Sequence, residues 1–367
     1  MTTTQIVQGA IIDEMLKVHP FGMNAADKRA FLGAALSDLT RHHYQRCAAY
    51  RRILDLLGCD LAGDLALESI PFIPVRMFKE YKLVSIEDSE IAKTMASSGT
   101  TGQAVSRIYL DKTTAANQTK VLVRISSSIL GDKRLPFLVV DSPAVLRDRS
   151  LFSARGAGIL GFSMLGHGLT YALNEQYEID YAGLDAFLQK HRGQRVLMFG
   201  FTFMLREHFC KALQRDGRKL ELDGIILHGG GWKNLESRAV SREAFAHGLA
   251  EVTGIRTVRN YYGMIEQAGS IFMECEKGNL HASVFSDVIA RDPQTFAVQP
   301  PGKQGLLQLV SLLPTSYPGH SILTEDVGEI VGIDGCPCGR KGTHFVVHGR
   351  VKNAEVRGCS DTYAAKS

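Results

Sequence analysis

No uninterrupted apolar run in this 367-residue chain approaches the roughly 20 residues that a membrane-spanning helix needs. The opening residues, MTTTQIVQGAIIDEM, lack the basic stretch and apolar core of a secretory leader. Both absences predict a cytoplasmic protein without a membrane span. Charge of one sign is scarce as well. Lys plus Arg exceed Asp plus Glu by 42 − 38 = 4, and the excess is dispersed, so no basic surface for nucleic acid is expected. Apolar residues at 45% and charged residues at 22% exclude collagen-like and largely disordered chains. Internal repeats and low-complexity tracts are missing too. The seven cysteines are odd in number and unevenly spaced, in a chain long enough to bury a core without disulfide staples. They fit a reducing compartment, where a selected thiol binds metal or reacts.

Glycine is plentiful at 36 residues, which favours the many tight turns of a loop-rich α/β enzyme. Residues 1–60 read as mostly helical. Apolar residues recur at three- and four-residue spacing through AADKRAFLGAALSDLTRHHYQRCAAYRRILDLLG, with Gly58 as the expected C-cap. His42 and His43 on that helix read as surface residues. Pro71 and Pro74 break the pattern. From about residue 90, strands alternate with glycine turns and helices. LPFLVVDSP, QRVLMFGF, DGIILHGGG and IRTVRNYYG read as strands, and FMLREHFCKALQRDG and EAFAHGLAEVTG as helices. That alternation predicts βαβ units and a parallel sheet. GLLQLVSLL and SILTEDVGEIVGI are expected in a later antiparallel part. The division expected is a helical N-terminal region over 1–90, an α/β core over 91–348 and a short tail over 349–367.

Ser97-Ser98-Gly99-Thr100-Thr101-Gly102 is the sharpest local signal. Two glycines let backbone approach an anion, and hydroxyl and N–H groups can bind it. It is not a Walker A loop, since no Gly-Lys-Ser/Thr follows, and a polar turn is the plain alternative. Downstream, Gly229-Gly230-Gly231-Trp232 follows a strand, so a flat ring could lie on bare backbone there. Tyr261, Tyr262, Gly263 and Glu266 set an aromatic face for a base beside a carboxylate for Mg²⁺. Asp326, in Leu323-Thr324-Glu325-Asp326-Val327-Gly328, offers a carboxylate to ribose hydroxyls, and Arg350 a cation to phosphate. His228 is a candidate for the nucleotide or acyl pocket. FGFTFML, around Phe199–Leu205, walls an acyl tunnel or is a plain core strand.

This order of motifs resembles the adenylate-forming superfamily of acyl- and aryl-CoA ligases. SSGTTG is similar to its phosphate loop, YGMIE to its Y-G-x-[ST]-E motif, TED to its T-G-D, and Gly349-Arg350 to its hinge-proximal G-R. Two positions depart from the pattern. Ile265 replaces a hydroxyl residue, removing one phosphate hydrogen bond, and Glu325 replaces a glycine, altering the path of that turn. Within the superfamily, IPFIPVRMFKEYKL, LHGGGWKNLESRAVS, NYYGMIEQ, SILTEDVGEI and the terminal RGCS resemble the LuxE-type acyl-protein synthetases, the activating component of bacterial fatty-acid reductase, over nearly the whole chain. The resemblance implies the large α/β domain of the adenylate-forming fold, ATP and Mg²⁺ as cofactors, a fatty acid as substrate, an acyl-adenylate, and a partner acyl reductase.

Only 367 − 350 = 17 residues follow Arg350, too few for the lid domain that typical acyl-CoA ligases carry there. The second half-reaction is then expected on Cys359, whose basic neighbours Arg350, Lys352 and Arg357 favour the thiolate. An idle thiol on a frayed end is the alternative. The resemblance implies an acyl thioester on Cys359, in its Gly358-Cys359-Ser360 context. His344 and His348 are candidates to take the Cys359 proton. Cys336 and Cys338, with Cys275 and His281 upstream, make a Cys₃His set suited to structural zinc, or a buried core cysteine and free thiols. A similar element in the phenylacetate–CoA ligase branch can hold zinc. The rival activities are a ligase that uses CoA in place of Cys359 and an inactive acyl- or nucleotide-binding subunit.

Overall fold

The computed structural model describes residues 3–97, 105–147, 154–231 and 240–351. They form two compact units. The chain starts in the first unit, builds the second from residues 129–262, and returns to the first from residue 263. Among the described residues no helix is long and apolar enough to cross a membrane.

The first unit opens with helices α1 (Thr3–Met15), α2 (Ala25–Arg46) and α3 (Ala48–Leu56). Asn24 starts α2 by accepting a hydrogen bond from the Asp27 N–H at 3.0 Å. The helical periodicity runs unbroken through this region, yet Cys47 takes an extended conformation and separates α2 from α3. Gly58, at φ +62°, follows α3 in the left-handed region expected of a stop signal. Next come β1 (Ile73–Pro74), α4 (Met77–Glu80), an antiparallel pair β2 (Lys93–Ala96) and β3 (Arg107–Leu110), and α5 (Lys112–Leu130).

One expectation fails in α2. His42 and His43 are not surface residues; they are 4% and 0% exposed. Buried ring nitrogens need partners. His42 Nε2 lies 3.2 Å from the Thr315 carbonyl, and His43 Nε2 lies 3.0 Å from the Pro314 carbonyl. Lys28, on the same helix, is also buried, 3.2 Å from Asp287. The helix start is fastened by Asp334, whose carboxylate accepts the Ala25 N–H at 2.9 Å and the Gly342 N–H at 2.7 Å.

The second unit contains β4 (Leu135–Val140), α6 (Ala144–Arg147), α7 (Ala154–Ser163), β5 (Gly166–Tyr171), α8 (Tyr181–Lys190), β6 (Arg195–Phe201), α9 (Lys211–Arg215), β7 (Asp223–Gly229), α10 (Arg242–Thr253) and β8 (Thr257–Tyr262). The five strands are parallel, in the order β5-β4-β6-β7-β8. Their central members are apolar on both faces, with Val139, Val140, Val196, Leu197, Met198 and Phe199 at 0% exposure. A π-helical turn over Met204–Cys210 leads into α9. Strand order reverses between β4 and β6, so the carboxyl ends of these strands border the crevice where open α/β sheets bind ligands.

Back in the first unit, β9 (Phe272–Glu274), β10 (Leu280–His281), β11 (Ser286–Arg291), β12 (Gln304–Ser311), β13 (Ser321–Ile333) and β14 (Thr343–Arg350) form an antiparallel sheet ordered β11-β12-β13-β14-β10-β9. β1 adds to β13 in parallel. Phe272 and Phe345, both fully buried, meet edge to face at 5.1 Å within its core. The later segments thus form the antiparallel part expected of them.

Candidate active site

In the second unit the candidate nucleotide residues fall at strand ends. β7 runs into Gly229 and Gly230, and β8 ends on Tyr261 and Tyr262. The bare backbone here already accommodates two rings of the protein itself. A Cβ on Gly229 would sit 2.6 Å from the Tyr261 ring, and one on Gly230, at φ +86°, 2.6 Å from the Phe201 ring. A Cβ on Gly231 would meet nothing within 4 Å among the described residues. Tyr261 in turn packs edge-on against Phe162, with centroids 4.9 Å apart. The FGFTFML segment divides between β6 and the π-helical turn, and Phe199, Phe201, Phe203, Met204 and Leu205 are all buried. Thr202 donates to the Gly229 carbonyl at 3.0 Å and so receives the His228 Nδ1–H, also at 3.0 Å. Burial, then the Arg242 charge, pushes His228 down to about 3, which keeps its ring neutral.

At the carboxyl end of β4, Asp141 receives Arg155 from the first turn of α7. The Arg155 Nε lies 3.0 Å from one carboxylate oxygen and Nη2 bonds the other, a two-point contact between groups 3% and 1% exposed. No sequence motif marks this pair, because its two members come from a strand end and a helix start that only the fold brings together.

The first unit holds the acidic and cationic candidates. Gly263 opens the segment leading to Glu266, which sits on a short 3₁₀ turn, Ile265–Gln267, and is 4% exposed. Its backbone carbonyl accepts the Tyr317 hydroxyl at 3.0 Å. The next side chain, Gln267, donates to the carbonyls of Leu309 at 3.0 Å and Gly319 at 2.8 Å. Thr324, Glu325 and Asp326 lie within β13 rather than in a turn, so Glu325 occupies a strand position where a glycine is unnecessary. Asp326 and Arg350 face each other across the β13–β14 ladder, and Arg350 Nε donates to Asp326 Oδ1 at 3.2 Å. The TED and Gly-Arg motifs, distant in sequence, therefore meet. His348 Nε2 lies 3.4 Å from Glu329, whereas His344 stacks on His281 at 5.5 Å, beside the cysteines.

Cys275, His281, Cys336 and Cys338 converge, with their ligand atoms all within 4.8 Å of one another. Two matching turns present the thiols. The Gly278 N–H bonds the Cys275 carbonyl and the Gly339 N–H bonds the Cys336 carbonyl, each at 3.0 Å with the glycine at φ +83°. Cys275 Sγ and Cys336 Sγ are 3.9 Å apart, and Cys338 Sγ is 3.4 Å from His281 Nε2. A tetrahedron with zinc–sulfur bonds of about 2.3 Å and zinc–nitrogen bonds of about 2.0 Å has edges of roughly 3.8 and 3.5 Å. The Lys277 N–H points at Cys275 Sγ at 3.4 Å and the Asn279 amide at Cys336 Sγ at 3.6 Å, donors suited to thiolates. Burial pushes the Cys275 thiol up to about 11. At Cys338 the burial penalty is outweighed by hydrogen bonds from the Arg340 backbone and side chain, which lower it. The cluster fits a closed zinc site.

Ser97 donates its N–H to the Ser106 carbonyl at 2.9 Å and accepts the Ser106 N–H on its hydroxyl at 3.0 Å. The candidates Ser98, Gly99, Thr100, Thr101, Gly102 and Cys359 lie outside the described residues. Tyr317 and the dipeptide Pro318-Gly319, which support Glu266, belong to none of the motifs above; the Pro-Gly turn signal alone marks them.

A family model described as "Acyl-protein synthetase, LuxE" matches residues 2–367. The chain is 24% identical over 346 residues to the long-chain-fatty-acid–luciferin-component ligase of Vibrio harveyi, spanning 89% of this chain and 86% of the relative. It is 25% identical over 327 residues to the phenylacetate-coenzyme A ligase of Thermus thermophilus, spanning 85% and 67%. An open conformation of 2-hydroxyisobutyryl-CoA ligase, in complex with 2-HIB-AMP and CoA, shares the fold at a TM-score of 0.70 and 15% identity, over 91% of this chain and 77% of that one.

Proposed function

Because the chain belongs to the LuxE acyl-protein synthetase family, we propose that it activates a fatty acid as acyl-AMP and then carries the acyl group on its own Cys359 thiol. It is an acid-activating ligase with the adenylate-forming fold. The motif order predicted that family and that fold.

The observation that carries the chemistry is the Asp326–Arg350 pair. It couples the acid read as a ribose ligand to the cation read as a phosphate ligand and fixes the guanidinium. In the first half-reaction a substrate carboxylate oxygen attacks the α-phosphorus of ATP. A P–O bond forms, the bond to the bridging oxygen breaks, and pyrophosphate leaves. In-line transfer of this kind needs positioning and neutralisation of charge. Residues 97–102 would receive phosphate oxygens, Gly231 and the Tyr261–Tyr262 segment would bound the nucleotide, and Arg350 would neutralise charge. Glu266, a buried carboxylate on a fixed turn, suits Mg²⁺, which supplies further neutralisation when bound. The acyl group would leave Cys359 for the thiol of a partner acyl reductase.

Acid-dependent exchange of labelled pyrophosphate into ATP tests the activation step. Exchange with at least one long-chain fatty acid is expected; none across a panel of fatty and aromatic acids would overturn the proposal.

The Cys₃His cluster would hold one Zn²⁺ as a structural cross-link, with all four positions filled by protein. Metal analysis should return one zinc per chain. Replacing Cys336 by Ser should remove it and lower the melting midpoint, by roughly 2–4 °C for each kcal/mol lost in a domain of this size. Full stability without metal would dismiss the site.

A further inference from the structure

The segment between β12 and β13 is fully buried, yet it has no regular structure. Buried backbone without a ladder must find each hydrogen bond individually. Here the partners form two sets. From the α2 side, His43 Nε2 meets the Pro314 carbonyl at 3.0 Å and His42 Nε2 the Thr315 carbonyl at 3.2 Å, while the Ser85 N–H donates to the Ser316 carbonyl at 2.8 Å. The second set of partners is the residues around the Glu266 turn. The Tyr317 hydroxyl donates to the Glu266 carbonyl at 3.0 Å, and Gln267 donates to the Gly319 carbonyl at 2.8 Å. Gly319 approaches so closely that a Cβ there would lie 2.7 Å from the Glu266 carbonyl oxygen.

These contacts fix the protonation of the imidazoles. A ring nitrogen facing a carbonyl must carry hydrogen, so His43 is protonated at Nε2 and accepts the Ser85 hydroxyl on Nδ1 at 2.8 Å. Thr40 uses its hydroxyl hydrogen on the Leu36 carbonyl, so the His320 Nε2–H donates to Thr40 at 2.9 Å. The His43 and His320 rings stack at 5.0 Å, and His42 meets His43 edge-on at 5.1 Å. Burial first, then the neighbouring imidazoles, hold His43 well below its usual range, so the group stays neutral and keeps one fixed donor pattern.

We propose that His43, supported by His42 and His320, is a positioning residue for Glu266, acting through the Pro314–His320 segment that holds the Glu266 turn. The inference deepens the reading of Glu266 as the Mg²⁺ carboxylate and rests on it. His43 bonds the segment and not Glu266 itself, so its effect on the carboxylate is indirect.

The test compares His43→Gln, whose amide nitrogen can replace Nε2–H, with His43→Leu, which cannot donate. In pyrophosphate exchange, His43→Leu should raise the Mg²⁺ concentration for half-maximal rate by about tenfold, the usual scale for losing an outer support of a metal ligand, whereas His43→Gln stays close to wild type. Amide hydrogen exchange on the full chain reads the same coupling without activity: Gln267, Ala268 and Ser270 should exchange faster in the Leu variant and not in the Gln variant. Should the Leu variant fail to fold, Ser85→Ala, which frees the His43 tautomer, should give both effects in weaker form. Equal loss in the Gln and Leu variants, or unchanged Mg²⁺ dependence and amide exchange in the folded Leu or Ala variant, would overturn the proposal. If wild type exchanges no pyrophosphate with any acid, the assigned activity is wrong, and the amide measurement alone still decides whether His43 governs the Glu266 turn.

Discussion

Incubated with radioactive fatty acid and Mg·ATP, the wild-type chain is expected to carry label through denaturing electrophoresis, and Cys359→Ser none, while pyrophosphate exchange persists in both. The second half-reaction needs a sulfur anion. It attacks the acyl carbonyl, the bond to the adenylate oxygen breaks, AMP departs, and a thioester remains. A serine hydroxyl is protonated near neutrality and cannot take over. Competing thiols are poorly suited. Burial raises Cys59 and Cys210, and pushes Cys275 up to about 11. Cys338 is the one described thiol with a lowered titration, and it belongs to the cluster with His281. Cys338→Ser is therefore the decisive control and should keep its label. Label that survives Cys359→Ser and disappears in Cys338→Ser would refute the assignment. Label that forms only on added CoA would favour the CoA ligase.

The second large effect is on stability. Arg155→Met should cost about 3–5 kcal/mol, because it leaves the Asp141 carboxylate buried without its cation. That is a large part of the roughly 5–15 kcal/mol that holds a typical domain together. Asp141 and Arg155 are 1% and 3% exposed, and Arg155 also lies over the Tyr177 ring at 5.5 Å. The sign depends on what is left behind. Replacing both partners, as in Asp141→Leu with Arg155→Met, removes both charges and should recover much of the loss. Urea unfolding of the three variants measures the difference. A single variant within about 1 kcal/mol of wild type, the range of an exposed ion pair, would show that water reaches this contact.

How much of this was legible in the sequence follows from the range over which each feature is determined. The parallel strands were legible because burial on both faces writes a continuous apolar run, as in Val196–Phe199. The Cys336 and Cys338 ligand pair was legible because a Cys-x-Cys spacing is local. The environment of α2 was not. Helical periodicity locates an apolar face, but the partners that make burial tolerable for His42 and His43 are Ser85, Pro314 and Thr315, far from the helix in sequence. The Asp326–Arg350 contact depends on the β13–β14 register, which shifts at Val327/Gly328 and again at Ile330/Gly332, and no local pattern encodes two such shifts. The π-helical turn read as an ordinary helix because its apolar spacing is close to the α-helical one.

Asp334 gives one oxygen-rich clasp to both the first amide of α2 and the turn that presents Cys336 and Cys338. Anyone trimming this protein to a minimal catalytic core would be tempted to discard the leading helices as an appendage. Doing so would strand Asp287, which pairs with Lys28 at 3.2 Å, and would strip the clasp of half its load. Deletions and fusions that cut into the region after Asn24 should therefore yield insoluble product, and useful junctions lie ahead of it.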